Sequence, residues 1–285
     1  MKILVTGATG QLGSLVVEAL LKSVPAERLA VSVRNPEKAE GLRLRGVEVR
    51  PGDFDRPESL DQAFAGVDRL LLISTGGDDE SQIRRHTAAV AAAHRARVDF
   101  IAYTSAANAA ESSFFLAAAH RATEEAIRKT GTPFCFLRNN WYLENEGGTI
   151  QAVLGGAPWV TSAGSGKVGW ATRRDYAEAA ATVLVGDGHR NAIYELSGRL
   201  LTQEELAAEV AAVWGGEVPV LQVDDAMYAE MMKNAGVPDP MVPILVAVQR
   251  AIREGALAIQ SDDFELLLGR PLTPIRDALR EIVQR

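Results

Sequence analysis

A short apolar segment, a glycine-rich loop and an amphipathic stretch follow one another at the start of the sequence, and this order limits the folds open to the chain. Residues 3–5 are apolar, as in a buried strand, and residues 12–22 carry apolar side chains at helical spacing. Between them, Gly7, Gly10 and Gly13 are spaced as G-x-x-G-x-x-G. A strand, a tight turn and a helix in this order are typical of the first unit of a parallel α/β sheet.

The same alternation continues through the first half of the chain. Apolar segments that predict further strands lie at residues 29–33, 47–49, 70–73, 98–103 and 134–137. Strands that are apolar on both faces indicate a parallel sheet with helices on both sides. We therefore expect an α/β fold in which residues 1–150 form a Rossmann-type doubly wound parallel sheet. A smaller, mainly helical domain is expected over residues 151–285, while segments near 160–176 and 190–197 contribute to the first domain.

Composition narrows the range of functions. The 285 residues include 30 Lys and Arg and 37 Asp and Glu, and the net charge of −7 argues against a nucleic-acid partner. No apolar stretch approaches the length of about 18 residues that predicts a membrane helix. The first apolar segment is too short for an export signal, and the single cysteine, Cys135, fits a cytoplasmic protein. No metal site is predicted, because no carboxylates complete one around His86 and His94.

The glycine loop has the chemistry of a pyrophosphate cradle. Gly7 permits a turn with positive φ, Gly10 lets the backbone approach a pyrophosphate, and Gly13 allows the helix to pack closely on the strand. The free N–H groups at the start of the following helix favour an anion. Glycine triplets also occur in ordinary turns, but the position between a predicted strand and a predicted helix favours a dinucleotide.

Side chains after the second and third predicted strands indicate which dinucleotide is bound. Arg34 stands where an Asp or Glu would accept hydrogen bonds from the ribose of NAD, and its guanidinium suits a 2′-phosphate. Lys38 is expected to add charge to the same pocket, so NADP(H) is the predicted cofactor. The alternative is that Arg34 is a solvated cation of the turn. Asp53 and Phe54 stand where an adenine would lie, although Asp is also common in turns.

The proton-donating pair of short-chain dehydrogenases is absent from the sequence. Those enzymes use a Tyr and a Lys four residues later, and none of the five tyrosines has a Lys at that spacing. In the helix where the pair is expected, His120 and Glu124 stand at positions i and i+4, close enough to pair. His120 either donates a proton, places the substrate or cofactor, or only pairs with Glu124. Tyr103, near the end of the fifth predicted strand, is expected to position the substrate.

Several motifs occur together and support a family resemblance. They are residues 5–13 (VTGATGQLG), 33–36 (VRNP), 100–105 (FIAYTS), 120–124 (HRATE) and 137–142 (LRNNWY). With these motifs, the sequence resembles the NmrA-like branch of atypical short-chain dehydrogenases, including its bacterial quinone- and dye-reducing members, over nearly the whole chain. The resemblance implies an NADP-binding domain and a small C-terminal domain that forms the substrate cleft.

The resemblance also implies a set of cofactor contacts. These residues lie in the glycine loop, after the second and fourth predicted strands, and in the segments that follow the sixth. They are Thr6, Gly7, Ala8, Thr9, Gly10, Gln11, Leu12, Arg34, Ser74, Thr75, Gly76, Asn139, Tyr142 and Arg173.

Aromatic residues near the expected cleft suit a flat acceptor molecule, although such residues more often belong to the core. They are Phe114, Phe115, Trp141, Tyr142, Trp159 and Trp170. A quinone also fits the missing Tyr and Lys pair. The hydroquinone anion is delocalised, so a strong acid contributes less, and solvent or His120 completes the protonation.

Two functions are therefore compatible with the sequence. In the first, the protein is an NADPH-dependent oxidoreductase that transfers hydride to a quinone or a similar conjugated aromatic acceptor. In the second, it is a non-catalytic NADP(H)-sensing regulatory protein. The expected partner is a small aromatic molecule or quinone, without nucleic acid or membrane, and a homodimer is compatible with the sequence.

Overall fold

The computed structural model describes residues 1–284. Its strands, in chain order, are β1 (Ile3–Thr6), β2 (Leu29–Val33), β3 (Glu48–Pro51), β4 (Arg69–Leu72), β5 (Phe100–Ala106), β6 (Phe134–Asn139), β7 (Trp159–Thr161), β8 (Lys167–Gly169), β9 (Ala192–Leu196), β10 (Leu200–Thr202) and β11 (Val220–Gln222). Its α-helices are α1 (Gln11–Leu21), α2 (Glu40–Leu44), α3 (Glu58–Phe64), α4 (Asp79–Arg95), α5 (Ala117–Lys129), α6 (Gly147–Leu154), α7 (Arg173–Val185), α8 (Gln203–Trp214), α9 (Asp225–Asn234), α10 (Val242–Arg253), α11 (Asp263–Leu268) and α12 (Ile275–Val283).

Seven strands form one sheet in the order β3-β2-β1-β4-β5-β6-β9. All neighbouring pairs in this sheet are parallel. β1 and β2 are buried along their whole length, because helices cover both faces of the sheet. The strand order reverses between β1 and β4, where ligands of such sheets bind at the carboxyl ends of the strands. The predicted Rossmann-type doubly wound sheet is confirmed.

Local sequence decides how each helix begins. The side chain of Asp78 accepts a hydrogen bond from the first turn of α4, and Thr172 does the same for α7. Thr202 likewise caps α8, where its side chain accepts from the N–H of Glu205. α1 differs, because its N-cap is Gly10, which has no side chain to bond the first N–H groups. These N–H groups are therefore open to a ligand.

Apolar side chains fill three regions. On one face of the sheet, α1 and α7 pack together with side chains of the central strands and of α11. On the other face lie α3, α4 and α5. The third region lies among α6, α8, α10 and α12 and contains the buried rings of Trp159 and Trp170. The cleft described below opens where this third region meets the carboxyl ends of β5 and β6.

The second half of the chain contains more strand than the sequence predicts. β8 pairs with β10, and β7 pairs with β11, in two small sheets. β11 falls in the domain that we predicted to be mainly helical. Its three residues are too few to show a strand period in the sequence. β9, in contrast, lies in the segment 190–197 that we expected to contribute to the first domain, and it adds the seventh strand to the main sheet, beside β6. The division into two domains stays a proposal. Within residues 1–284, no helix is long and apolar enough to cross a membrane.

Candidate cofactor and acceptor site

A cleft of about 1060 Å³ lies above the carboxyl ends of the parallel strands. Its glycine-loop side follows β1, β2 and β3 and is lined by Gly7, Thr9, Gly10, Gln11, Leu12, Arg34, Lys38, Asp53 and Phe54. Its aromatic side follows β5 and β6 and is lined by Ser105, Phe114, Leu116, His120, Trp141, Tyr142 and Leu257. The loop of Ser74, Thr75 and Gly76 after β4 lies between the two sides.

The glycine loop has the geometry that its spacing predicts. Gly7 has a φ of 61°, in the left-handed region that favours glycine. The N–H of Gly10 donates to the carbonyl oxygen of Gly7 at 2.9 Å, which closes the turn. A Cβ on Gly13 would collide with the same carbonyl, so α1 packs directly on the loop. The loop therefore presents backbone and the uncapped start of α1 to the cleft.

Two predicted residues of this loop do not face the cleft. Thr6 and Ala8 are each 1% exposed and do not line it. The hydroxyl of Thr6 donates to the carbonyl of Leu71 at 3.1 Å and accepts from the N–H of Ile73 at 2.9 Å. Thr6 therefore ties β1 to β4 with the hydroxyl that we expected to contact the cofactor.

Arg34 and Lys38 both line the cleft and are exposed. Neither cation has an ion-pair partner among the residues that the structure describes. Asn35, which lies between them, accepts a hydrogen bond from the N–H of Glu37 at 3.0 Å. The two cations are therefore free to bind an anion such as a phosphate.

The loop after β3 brings Asp53 and Phe54 to the edge of the cleft. The carboxylate of Asp53 lies 3.6 Å from the guanidinium of Arg56 and accepts from the N–H of Asp55 at 3.0 Å. Asp53 therefore makes the contacts of a turn residue, which was the alternative to an adenine contact. It also lines the part of the cleft where an adenine was predicted. Phe54 is half-buried beside it.

Asn139, Tyr142 and Arg173 are brought together as predicted. The side-chain amide of Asn139 donates to the hydroxyl of Tyr142 at 3.0 Å. The guanidinium of Arg173 lies 5.1 Å from the centre of the Tyr142 ring and donates to Asn145 at 2.7 Å. All of them line the cleft. Burial raises the pKa of Tyr142, so its hydroxyl stays protonated.

Two buried polar atoms of cleft-lining residues have no partner in the described chain. They are the hydroxyl of Ser32 at the end of β2 and the side-chain carbonyl oxygen of Asn139 at the end of β6. Buried polar atoms without a partner cost free energy, so such atoms in a cleft indicate a bound group that completes them. Together with the glycine loop and Arg34, they fit a phosphorylated dinucleotide that extends across the carboxyl ends of the strands.

The aromatic side combines rings from separate segments. Phe114 and Trp141 lie with ring centres 6.4 Å apart. The indole N–H of Trp141 donates to the carboxylate of Glu146 at 3.1 Å, and Trp170 donates to the same oxygen. Burial raises the pKa of Glu146. The carboxylate therefore fixes the orientation of Trp141, which forms one wall of the cleft.

Only some of the predicted aromatic residues belong to this wall. Trp159 and Trp170 are fully buried in the third apolar region, where the indole of Trp159 donates to Gln203 at 2.9 Å. Phe115 packs edge-on against Phe114 but does not line the cleft. The interpretation of Trp159 and Trp170 as core residues is the correct one.

His120 lines the cleft, whereas Tyr103 lies behind it. The hydroxyl of Tyr103 is 2.8 Å from Nδ1 of His120, and the side chain is fully buried. We expected Tyr103 to position a substrate, but burial prevents it from making that contact itself. Burial lowers the pKa of His120 to about 4 and raises the pKa of Tyr103 far above its ordinary value.

The expected pair of His120 and Glu124 does not form. Glu124 is buried and accepts two hydrogen bonds from the guanidinium of Arg138, at 2.8 and 2.9 Å. It also accepts from the hydroxyl of Ser105 at 2.7 Å. We missed Arg138, Ser105 and the cleft residue Leu257. An Arg inside the apolar strand β6 was the available signal for a buried partner, whereas no local pattern marks Leu257.

A family comparison covers residues from both sides of the cleft. Residues 7–185 match the family described as NAD(P)H-binding. The chain belongs to this family. The family and the class of cofactor that the sequence predicts are both confirmed.

The similarity to individual proteins extends over both sides of the cleft. Quinone oxidoreductase 2 of Escherichia coli K12 is 37% identical over 281 residues, which cover 98% of each chain. The Citrobacter sp. triphenylmethane reductase complexed with NADP(H) is 44% identical with a TM-score of 0.95, over 99% of this chain and all of that chain. The NADPH-dependent quinone oxidoreductase of Escherichia coli, complexed with NADPH, is 37% identical with a TM-score of 0.94, over 98% of this chain and 99% of that chain.

Proposed function

We propose that the protein is an NADPH-dependent oxidoreductase that transfers hydride to a quinone or another conjugated aromatic acceptor. The observation that carries the proposal is the continuity of the cleft from the glycine loop to the wall of Phe114 and Trp141. At 1060 Å³, the cleft is as large as the largest of typical ligand pockets, whose volumes are about 300–1,000 Å³. The names of the similar reductases support the same chemistry.

The preference for NADPH rests on the cations after β2. Arg34 and Lys38 are exposed, line the cleft and have no carboxylate partner within the described residues. A 2′-phosphate would meet two unpaired cations there, whereas an unphosphorylated ribose would gain no such contact. Both similar structures with a bound cofactor contain the phosphorylated dinucleotide.

For this hydride transfer, the protein needs to do little more than hold the cofactor and the acceptor in position. The bound nicotinamide supplies the hydride. The rings of Phe114 and Trp141 bind the flat acceptor and exclude water, and the carboxylate of Glu146 keeps Trp141 in place. No Tyr and Lys pair is needed, because the charge left on a reduced quinone is delocalised over its ring.

The test is the consumption of NADPH with a panel of quinones and cationic triphenylmethane dyes. We expect saturable turnover with at least one of these acceptors and much weaker turnover with NADH at equal concentration. Tight binding of NADPH without turnover of any acceptor would favour the alternative of an NADP(H)-sensing regulatory protein. The cytoplasm as compartment and the homodimer remain part of the proposal, and sedimentation of the purified chain with NADPH checks the latter.

A further inference from the structure

Three rings beside the cleft form a connected group, which we call the His86–Tyr103–His120 cluster. Tyr103 of β5 lies between His86 of α4 and His120 of α5. Its phenol oxygen is 2.8 Å from Nδ1 of His120 and 3.5 Å from Nδ1 of His86. His120 is the member of the cluster that lines the cleft. The cluster therefore connects the cleft, through His120 and Tyr103, to the buried hydrogen bonds of His86.

The backbone fixes the proton on His86. The N–H of Thr75 lies 2.9 Å from Nε2 of His86. A backbone N–H can only donate, so Nε2 is the ring nitrogen without a proton. Burial lowers the pKa of His86 to about 4, so the ring is neutral near pH 7 and its proton is on Nδ1. There it faces the hydroxyl oxygen of Thr123 at 2.9 Å.

The proton on His86 decides the direction of the next hydrogen bond. Two ring nitrogens lie within 3.5 Å of the Tyr103 oxygen, and the one on His86 already carries a proton. If His120 donated to the phenol oxygen, the phenol proton would have no acceptor on either ring, so the phenol donates to Nδ1 of His120 at 2.8 Å. A neutral His120 whose Nδ1 accepts carries its own proton on Nε2. Within residues 1–284, this Nε2 has no hydrogen-bond partner, and the ring lines the cleft.

We propose that Tyr103 is a positioning residue that holds His120 in the cleft as a neutral Nε2–H donor to the acceptor oxygen. This inference rests on the proposed function and adds a residue role to it. Hydride addition brings two electrons and one hydrogen to the quinone and leaves a negative charge on one quinone oxygen. The Nε2–H of His120 donates a hydrogen bond to that oxygen and keeps its proton, while water supplies the proton that completes the hydroquinone. A fixed donor aimed at developing charge accelerates such a step without being an acid.

Cationic dyes separate this role from a structural one. When hydride adds to the central carbon of a triphenylmethane dye cation, the positive charge is neutralised and no oxygen gains negative charge. A donor at Nε2 of His120 then has nothing to stabilise. Loss of the donor should therefore slow quinone reduction and leave dye reduction unchanged, whereas damage to the cleft would slow both.

The activity experiment compares benzoquinone with crystal violet in single-turnover oxidation of bound NADPH. Tyr103→Phe removes only the hydroxyl, and we expect quinone reduction to fall about tenfold, the value of roughly one hydrogen bond, with dye reduction within about twofold of the original protein. The matched control is Tyr194→Phe, since the Tyr194 hydroxyl also contacts a histidine ring, Nδ1 of His189 at 2.9 Å, outside the cleft. His120→Leu should lower quinone reduction further, and His120→Gln, which keeps a neutral N–H donor, should restore part of it.

A second measurement reads the proton directly and does not depend on turnover. The chain has only four histidines, so long-range proton–nitrogen correlation spectra of the ¹⁵N-histidine-labelled protein can assign each ring. We expect His120 to carry its proton on Nε2, and Tyr103→Phe to shift this ring towards the other tautomer while NADPH affinity stays unchanged. A proton on Nδ1 of His120 in the original protein would overturn the inference.

Equal loss of quinone and dye reduction in Tyr103→Phe would also overturn the inference, because it would show a structural role alone. If the original protein reduces neither acceptor, the proposed function itself fails, and the donor role fails with it. The spectra would still decide the tautomer in that case. The two failures are therefore distinguishable.

Discussion

The two sides of the cleft consist of different kinds of chemical groups. The glycine-loop side consists of backbone groups and exposed cations, such as Gly10 and Arg34, that follow directly after strands of the sheet. The aromatic side consists of rings and a neutral histidine held by buried partners from distant segments, as His120 is held by Tyr103. A cofactor shared by many proteins can be bound by local loops, whereas binding of a particular acceptor depends on tertiary packing. Substitutions on the two sides should therefore separate cofactor affinity from acceptor turnover.

The largest expected effect is the loss of cofactor binding in Gly10→Val. The Cβ of any side chain there lies 3.2 Å from the Gly7 carbonyl oxygen, and the valine methyl groups would enter the space that a pyrophosphate needs. We expect NADPH affinity to fall at least about 100-fold, or about 2.7 kcal/mol. Titration of NADPH fluorescence measures the affinity, and circular dichroism measures the fold.

The matched control for Gly10→Val is Gly41→Val. Gly41 lies in the exposed helix α2, and a Cβ there meets no atom within 4 Å. This variant should bind NADPH as the original protein does. Normal NADPH binding by a folded Gly10→Val would mean that the glycine loop is not the pyrophosphate site, and the contrast between the two sides would be lost.

The next effect concerns the choice between NADPH and NADH. Arg34→Ala removes a charge-assisted contact worth about 1.5–3 kcal/mol, so NADPH affinity should fall about 10- to 150-fold while NADH affinity hardly changes. Arg28→Ala serves as the control, because Arg28 directly precedes β2 and so lies at the amino end of the strand, whereas the cleft lies at the carboxyl ends. An unchanged preference for NADPH in Arg34→Ala would show that Arg34 is the solvated turn cation instead.

A smaller effect is expected on the aromatic side. Trp141→Ala removes a ring that lines the cleft beside Phe114, and an aromatic contact is worth about 0.5–1.5 kcal/mol. We expect kcat/KM for the quinone to fall about two- to tenfold with unchanged NADPH affinity. Trp214→Ala is the control, since Trp214 lies partly exposed at the end of α8, away from the cleft. Equal losses of cofactor and acceptor binding in Trp141→Ala would mean that the two sides are one site.

Sequence could predict the glycine-loop side because its function depends on neighbours in the chain. The turn at Gly7, the close packing at Gly13 and the cations after β2 follow from a few adjacent residues. Within the same loop, Thr6 and Ala8 were predicted as contacts but are buried and do not line the cleft. The direction of a side chain at the end of a strand depends on the strand beside it, which here is β4.

The aromatic side could not be predicted in the same way. The i, i+4 spacing of His120 and Glu124 favours a pair on one helix, but Arg138 of β6 provides a stronger partner for Glu124. That contact requires α5 to pack beside β6, which no local pattern encodes. For the same reason, the sequence could identify His120 and Tyr103 but not the burial of the phenol or its contact with His120.

The smallest expected effect is a rate that does not change with pH. Burial lowers the pKa of His120 to about 4, so the ring stays neutral from about pH 8 down to about pH 5.5 and gains a proton only at lower pH. An exposed histidine, with a pKa near 6.5, would become cationic as the pH falls through that value and would then accelerate quinone reduction as a stronger donor. We therefore expect single-turnover quinone reduction with saturating NADPH to be flat over this interval, in the original protein and in the control variant His94→Gln, which alters an exposed ring of α4. A rise towards low pH that His120→Gln abolishes and His94→Gln retains would show that His120 titrates as an acid. The aromatic side would then resemble the glycine-loop side in its use of charge.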